Sequence, residues 1–198
     1  MSSKNLLPQD GEIYYLPSFF SPSEVAQYCD ELTTQITWSQ KSIQIFGKPV
    51  RQPRLTAWCA DSGVDIRYSG ITYQPQAWLP GLLHMKTRIE SVLSHRFNGV
   101  LLNYYRDGRD SMGWHRDNER YLGAEPVIAS VSFGAERTFR MRHRAGAASP
   151  LSLDLASGSL LVMRGQTQTF WEHCLPKRKR VDALRINLTF RRVFLAGE

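Results

Sequence analysis

The segment Arg185–Arg191, RINLTFR, constrains this chain most, because it alternates without a break. A strand repeats every two residues, so Ile186, Leu188 and Phe190 point to one face and Arg185, Asn187, Thr189 and Arg191 to the other. The apolar row must pack on a core. The opposite row then carries two guanidiniums, an amide and a hydroxyl. Standing alone, such a row fits the solvated outer face of an antiparallel sheet. It also fits a binding face for a small dicarboxylate, since a guanidinium grips a carboxylate through two parallel charge-assisted hydrogen bonds.

Residues farther upstream bear on that choice. In His115-Arg116-Asp117, on a strand or extended loop, the imidazole and the carboxylate share a face. His173, from a distant segment, would complete a two-His, one-carboxylate set that leaves coordination positions open and suits non-haem Fe(II) oxygen chemistry. Singly, His115 reads as a surface turn residue and His173 as a half-buried histidine. The order gives them meaning: His-x-Asp, then His173, then the guanidinium-bearing strand twelve residues later, a metal with a co-substrate clamp.

Composition bounds the rest. A chain of 198 residues is most simply one domain, residues 1–198, long enough to bury a real core. Twenty-five Lys and Arg against eighteen acids leave a net charge of +7, which favours a polyanionic partner. The three cysteines, Cys29, Cys59 and Cys174, are odd in number and lack metal-ligand spacing, as expected of free thiols in a reducing compartment. No charged-then-apolar leader opens the sequence and no apolar run has the length of a membrane span, so a soluble intracellular protein is expected. Residues 1–11 read as a loosely held lead-in.

Ser21-Pro22-Ser23-Glu24 is a capping box with proline at the first helical position, so a helix should begin there, with Val25, Tyr28, Cys29, Leu32 and Ile36 as its apolar stripe. A second helix is expected from near Pro80, with Leu82, Met85, Ile89, Val92 and Leu93 packing on a sheet. After Gly99 the pattern turns to short alternating segments: residues 100–106, 127–133, 137–143, 151–155, 159–164, 168–174 and 184–194. Several short strands in succession predict an antiparallel sandwich or barrel.

From Phe97 to Val193 the chain resembles an AlkB-family, Fe(II)- and 2-oxoglutarate-dependent dioxygenase. The carrying motifs are NYYRDG (Asn103 to Gly108), WHRDNE (Trp114 to Glu119), IASVSFGAERTF (Ile128 to Phe139), GSLLVM (Gly158 to Met163), WEHCLP (Trp171 to Pro176) and RINLTFR. Earlier, FGKPVRQPRLTAW (Phe46 to Trp58) and YSGIT (Tyr68 to Thr72) resemble the branch that repairs alkylated DNA. The resemblance implies an α+β, mainly β fold, a double-stranded β-helix or jelly-roll barrel. Supporting helices and a nucleotide-recognition lid would occupy about residues 12–98, and the catalytic core about 99–194.

It further implies Fe(II) held by His115, Asp117 and His173, with dioxygen and 2-oxoglutarate as co-substrates. The 2-oxoglutarate pocket would comprise Asn103, Tyr105, Arg185, Asn187, Thr189 and Arg191, with Arg185 at the far carboxylate and Arg191 nearer the iron. Read without the resemblance, Asn103 and Tyr105 are ordinary cross-strand residues. The implied reaction is oxidative demethylation of bases such as 1-methyladenine and 3-methylcytosine, releasing formaldehyde, succinate and carbon dioxide. Such a base must be extruded from a duplex and gripped by stacking. Tyr68 and Ser69 match the lid, Glu119 matches an acidic base contact, and Asn118 stands where some relatives carry Asp. Ile66 replaces an aromatic of the duplex-repairing relatives.

Ile45-Phe46-Gly47-Lys48 resembles a hydrophobic finger that fills the gap left by the flipped base; the alternative is a hairpin tip whose Phe packs back on the fold. Arg54 is expected nearby, against the DNA backbone. Lys177-Arg178-Lys179-Arg180 reads as a phosphate contact, a nuclear-localisation-like patch or a solvated loop. Arg137, Arg140, Arg142 and Arg144 would extend the same basic surface. The expected partner is DNA, duplex or single-stranded, with RNA open. The protein would be a monomer, in a bacterial cytoplasm or a eukaryotic nucleus.

Overall fold

In the computed structural model, residues 4–45, 48–68 and 70–195 are described, the side chains of Gln44, Ile45 and Tyr68 excepted. In chain order the strands are β1 (Glu12–Leu16), β2 (Ser42–Ile45), β3 (Lys48–Arg51), β4 (Leu55–Ala60), β5 (Ile66–Tyr68), β6 (Ile71–Tyr73), β7 (Gly99–Tyr105) and β8 (Met112–His115). They continue with β9 (Ile128–Gly134), β10 (Arg137–His143), β11 (Leu151–Leu155), β12 (Ser159–Arg164), β13 (Trp171–Leu175) and β14 (Arg185–Arg191). The helices are α1 (Pro22–Gln35), α2 (Pro80–Leu93) and a single turn, α3 (Thr167–Phe170).

Helix α1 starts where the capping box predicts. The Ser21 hydroxyl accepts from the Glu24 N–H at 3.4 Å, and the Glu24 carboxylate accepts from the Ser21 N–H at 2.8 Å. Tyr28 and Leu32 of α1, with Leu82, Met85 and Ile89 of α2, pack on Val100, Leu102, Val131, Phe133, Ile186, Leu188 and Phe190. Val92 is the exception in the second stripe and is exposed. The apolar row of RINLTFR is therefore the face that the helices cover. Complete burial of Leu188 is worth about 1.5–3 kcal/mol of transfer free energy.

Strand order in the larger sheet is β1-β12-β9-β14-β7-β4, and in the smaller β11-β10-β13-β8. Both are antiparallel throughout, and together they make the jelly-roll barrel. Another cluster, including Ile13, Ile128, Met141, Leu155, Leu161 and Trp171, draws on both sheets. Two ribbons stand apart from the sheets: β2 with β3, where Ile45 faces Lys48, and β5 with β6. Among the described residues no helix is long and apolar enough to cross a membrane.

Two expectations need correction. The lead-in is held: the Asn5 side chain donates to Gly11 O at 2.9 Å and accepts from Ile13 N–H at 2.8 Å, and Leu7 is buried. The strand placed at 168–174 begins only at Trp171, because Thr167–Phe170 closes a helical turn, with the Phe170 N–H donating to Gln166 O at 3.1 Å.

Candidate metal centre and co-substrate pocket

All seven residues of β14 are buried, so its polar row is not a solvated face. In register, Arg185 lies opposite Tyr105, Asn187 opposite Asn103 and Thr189 opposite Leu101 on β7. On the other side Asn187 faces Ser132 and Thr189 faces Ser130 of β9. Strand alternation thus turns Asn103, Tyr105, Ser130, Ser132 and the odd-numbered row of β14 into one polar interior wall. The smaller sheet supplies the opposing wall, including His115, Phe139 and His173.

On that wall His173 of β13 pairs directly with His115 of β8, their ring centroids 4.2 Å apart. Asp117 follows two residues past His115, just beyond the strand, at 1% exposure. The ligand atoms of His115, Asp117 and His173 lie within 4.8 Å of one another. His115 Nδ1 sits 2.9 Å from Gly113 O, and its Nε2 lies 3.9 Å from Asp117 Oδ1. Asp117 Oδ2 accepts from Arg191 Nη2 at 3.0 Å, while Oδ1 is buried with no hydrogen bond. An acceptor oxygen left bare beside two imidazoles is what a divalent cation needs.

The charge states agree. Burial, reinforced by the neighbouring His115, pushes His173 down to about 3. Burial also lowers His115 against the pull of Asp117. Both rings are neutral at neutral pH, with lone pairs available to a metal. For Asp117, burial works to raise the carboxyl, but the Arg191 guanidinium bonded to it outweighs burial and holds it below its usual range. Two neutral nitrogens and one carboxylate fit Fe(II).

At the other end of the row, Arg185 is 2% exposed, and its Nη2 donates to Ser132 Oγ at 2.8 Å. Its Nε is buried without a partner, and the guanidinium lies 5.3 Å from the centre of the Tyr105 ring. Burial pulls its pKa down to about 10. A buried cation this poorly paired is a receptor for an anion. Asn187 Nδ2 donates to Ser130 Oγ at 2.8 Å and to Val131 O at 2.9 Å, and Thr189 Oγ1 to Leu101 O at 3.1 Å.

Sequence reasoning missed three supporting residues and gave a fourth another role. Ser130 and Ser132 were legible, since IASVSFG alternates as β14 does. Gln168, buried on α3, accepts from the Asp117 N–H through Oε1 at 3.0 Å, and no local signal marks it. Arg54 is a correction. It is 3% exposed, and its Nε donates to Asn103 Oδ1 at 2.7 Å, so it orients the pocket amide and does not face a DNA backbone.

Ile66 is likewise corrected. It is 2% exposed among Trp58, Val64, Tyr73 and Leu101, where it anchors the β5–β6 ribbon rather than meeting a base. Arg137 leaves the supposed basic surface too, at 1% exposure, while Arg140, Arg142 and Arg144 are exposed. Glu119 is half-buried with Oε2 unpartnered, and burial, then the charge of Asp117, raises its pKa; Asn118 is exposed. Lys177, Arg178, Lys179, Arg180 and Lys48 are all exposed. Phe46, Gly47 and Ser69 lie outside the described residues, as do the side chains of Ile45 and Tyr68.

Comparison with known proteins agrees with this geometry. Residues 12–191 match the 2OG-Fe(II) oxygenase superfamily. The chain is 41% identical over 187 residues to the mouse (Mus musculus) alpha-ketoglutarate-dependent dioxygenase alkB homolog 3, covering 90% of this chain but 65% of that protein. It is 41% identical over 186 residues to the human (Homo sapiens) DNA oxidative demethylase ALKBH2, covering 89% and 71%. The Arabidopsis thaliana ALKBH2 is 37% identical over 213 residues, covering 94% and 68%. The solved structure of OsALKBH1 superposes with a TM-score of 0.65 at 15% identity, covering 91% of this chain and 97% of that one, and shows a shared fold. The chain belongs to the 2OG-Fe(II) oxygenase superfamily and, within it, to the AlkB homologues.

Proposed function

We propose that this chain removes N-linked methyl groups from DNA bases of the 1-methyladenine and 3-methylcytosine type. The observation that carries the reading is the row on β14: Arg191 holds the metal carboxylate at one end, and Arg185 waits unpaired by any acid at the other. The superfamily uses Fe(II), 2-oxoglutarate and dioxygen. The most similar relatives include proteins named DNA oxidative demethylase, which supports DNA as the substrate.

Bound by His115, Asp117 and His173, Fe(II) supplies oxidation of the N-methyl carbon at the expense of 2-oxoglutarate and dioxygen, with succinate, carbon dioxide and formaldehyde as products. The protein's part is orientation and exclusion of water. Arg185 receives the far carboxylate of 2-oxoglutarate in a bidentate grip, and Asn103 and Tyr105 complete its hydrogen bonds. Arg54 fixes the Asn103 amide, and Gln168 fixes the backbone at Asp117. Glu119 offers its bare oxygen to the cationic methylated ring, with Asn118 beside it. Tyr68 and Ser69 cover the flipped base, and Phe46 fills the space it leaves. Lys177 to Arg180 and Lys48 meet phosphates.

On this reading the protein acts as a monomer where DNA is kept, in a bacterial cytoplasm or a eukaryotic nucleus. The test is release of formaldehyde and succinate with Fe(II) and 2-oxoglutarate on 1-methyladenine and 3-methylcytosine in matched single-stranded DNA, duplex DNA and RNA. Repair of either DNA form supports the proposal. Repair of RNA alone moves the substrate, and succinate without repair of any base refutes base demethylation.

A further inference from the structure

The basic loop Lys177–Arg180 is fixed at both ends. Arg178 N–H donates to Gly108 O at 2.8 Å, Gly108 N–H to Val181 O at 2.7 Å, and Val181 N–H to Arg178 O at 3.0 Å. A Cβ at position 108 would overlap the Arg178 carbonyl, so this approach requires glycine. Beneath it lies Arg137, the first residue of β10. Its Nη1 donates to Asp107 O at 3.1 Å, and its Nη2 to Asp110 O at 2.9 Å and Pro176 O at 2.8 Å. One planar fork thus joins the turn after β7 to Pro176, the residue just before the basic loop.

The same guanidinium approaches Tyr105, which lines the co-substrate pocket. Its Cζ lies 5.9 Å from the centre of the Tyr105 ring, which Arg185 also approaches. The nearby acids do not neutralise Arg137: the Asp107 carboxylate pairs with Arg109, and that of Asp110 with Arg106. Burying a cation against carbonyls alone is costly, and an apolar side chain would fill the space more cheaply. The gain is geometric, because a rigid plane whose two Nη groups bond three carbonyls sets the relative positions of segments that share no sheet register.

We infer that Arg137 is a positioning residue that couples the basic loop to the 2-oxoglutarate pocket. This rests on reading the loop as a phosphate contact and Tyr105 as a co-substrate contact. Coupling is reciprocal, so occupying the pocket tightens polyanion binding and the converse.

The experiment measures anisotropy of an unmodified single-stranded oligonucleotide over a salt series, with Mn(II) in place of Fe(II), with and without 2-oxoglutarate. The KM for 2-oxoglutarate in succinate formation is measured alongside. In the wild type 2-oxoglutarate should tighten oligonucleotide binding several-fold. Arg137→Met should abolish that dependence, flatten the salt slope by about one unit, and raise the KM several-fold with kcat little changed. Arg137→Lys should restore part of it, since charge returns without the fork. Gly108→Ala, which displaces Arg178 from the other side, should flatten the slope and leave the KM alone.

Arg137→Met with wild-type slope, KM and 2-oxoglutarate dependence overturns the coupling. So does a wild type whose oligonucleotide binding ignores 2-oxoglutarate. If Arg137→Met does not fold, unchanged slopes in both Arg137→Lys and Gly108→Ala overturn it equally. A wild type whose binding shows no salt slope refutes the phosphate reading of the loop instead, while the KM of Arg137→Met still decides the link to Tyr105.

Discussion

Asp117 concentrates three requirements in one carboxylate: it balances Arg191, faces two imidazoles and holds one oxygen bare. Asp117→Ala should therefore abolish metal binding and turnover while leaving oligonucleotide affinity within about threefold, since the exposed cations proposed to meet phosphate are distant from it in sequence and chemistry. Demethylation by that variant would sink the metal assignment. The imidazoles make a separate prediction for the metal-free protein. His173 falls from 6.5 to about 3 in the fold. Between those values the unfolded chain binds a proton that the folded chain does not, so stability is intact above about pH 6.5 and erodes as pH drops through the window. Melting in chelator should show a lower Tm at about pH 5 than at about pH 7.5, and a flat profile would mean that His173 protonates in place. Single residues were also where sequence reading failed. Arg54 and Ile66 look like surface and lid in a linear text, yet each is buried by partners that no linear pattern marks: Asn103 for one, and for the other Trp58 and Tyr73 across neighbouring strands together with the distant Leu101. Arg137 was legible: it shares parity with Phe139, Met141 and His143 rather than with Arg140 and Arg142.

An element carries more information than its residues, because period and cap act together. Helices α1 and α2 and the strand β14 were legible for this reason: a capping box, a proline at the first turn and strict alternation leave one solution each. The turn α3 was not, since four residues give no period and Gln168 earns its place only through Asp117. Strand β14 permits a direct test of face assignment with adjacent residues. Leu188→Ala should cost about 3 kcal/mol through lost burial and a cavity under the helices, with little change in the KM for 2-oxoglutarate. Asn187→Ala removes an amide bonded to Ser130 and Val131, costs about 1 kcal/mol, and should raise that KM. Urea midpoints and co-substrate titrations separate the two. A KM effect at 188 and none at 187 would mean that the row facing the site has been misassigned.

At the scale of the whole molecule, the paired strands of the barrel carry the metal and co-substrate site, and the proposed contacts with the polymer fall on the loops and ribbons outside those strands. The metal and co-substrate wall is built from paired strands of the two sheets, whereas the basic loop lies outside them and the two ribbons pair only within themselves. The β2–β3 ribbon pairs with neither sheet, and all of β3 is exposed. Between the paired Ile45 and Lys48 the sequence places Phe46 and Gly47, an aromatic beside the smallest residue. A duplex resists extrusion of a base by its stacking, a few kcal/mol per step, and a single strand does not. An apolar side chain that replaces the lost stack therefore matters only where a stack existed. Phe46→Ala should lower demethylation of duplex substrate by about tenfold or more, the equivalent of roughly 1.4 kcal/mol of lost stacking, and leave single-stranded turnover nearly unchanged. The ratio of the two rates in one enzyme preparation is the measurement, because misfolding or metal loss scales both equally. Equal losses on both substrates would place Phe46 in the fold rather than in the DNA, and no loss on either would leave strand separation to the basic loop and the lid.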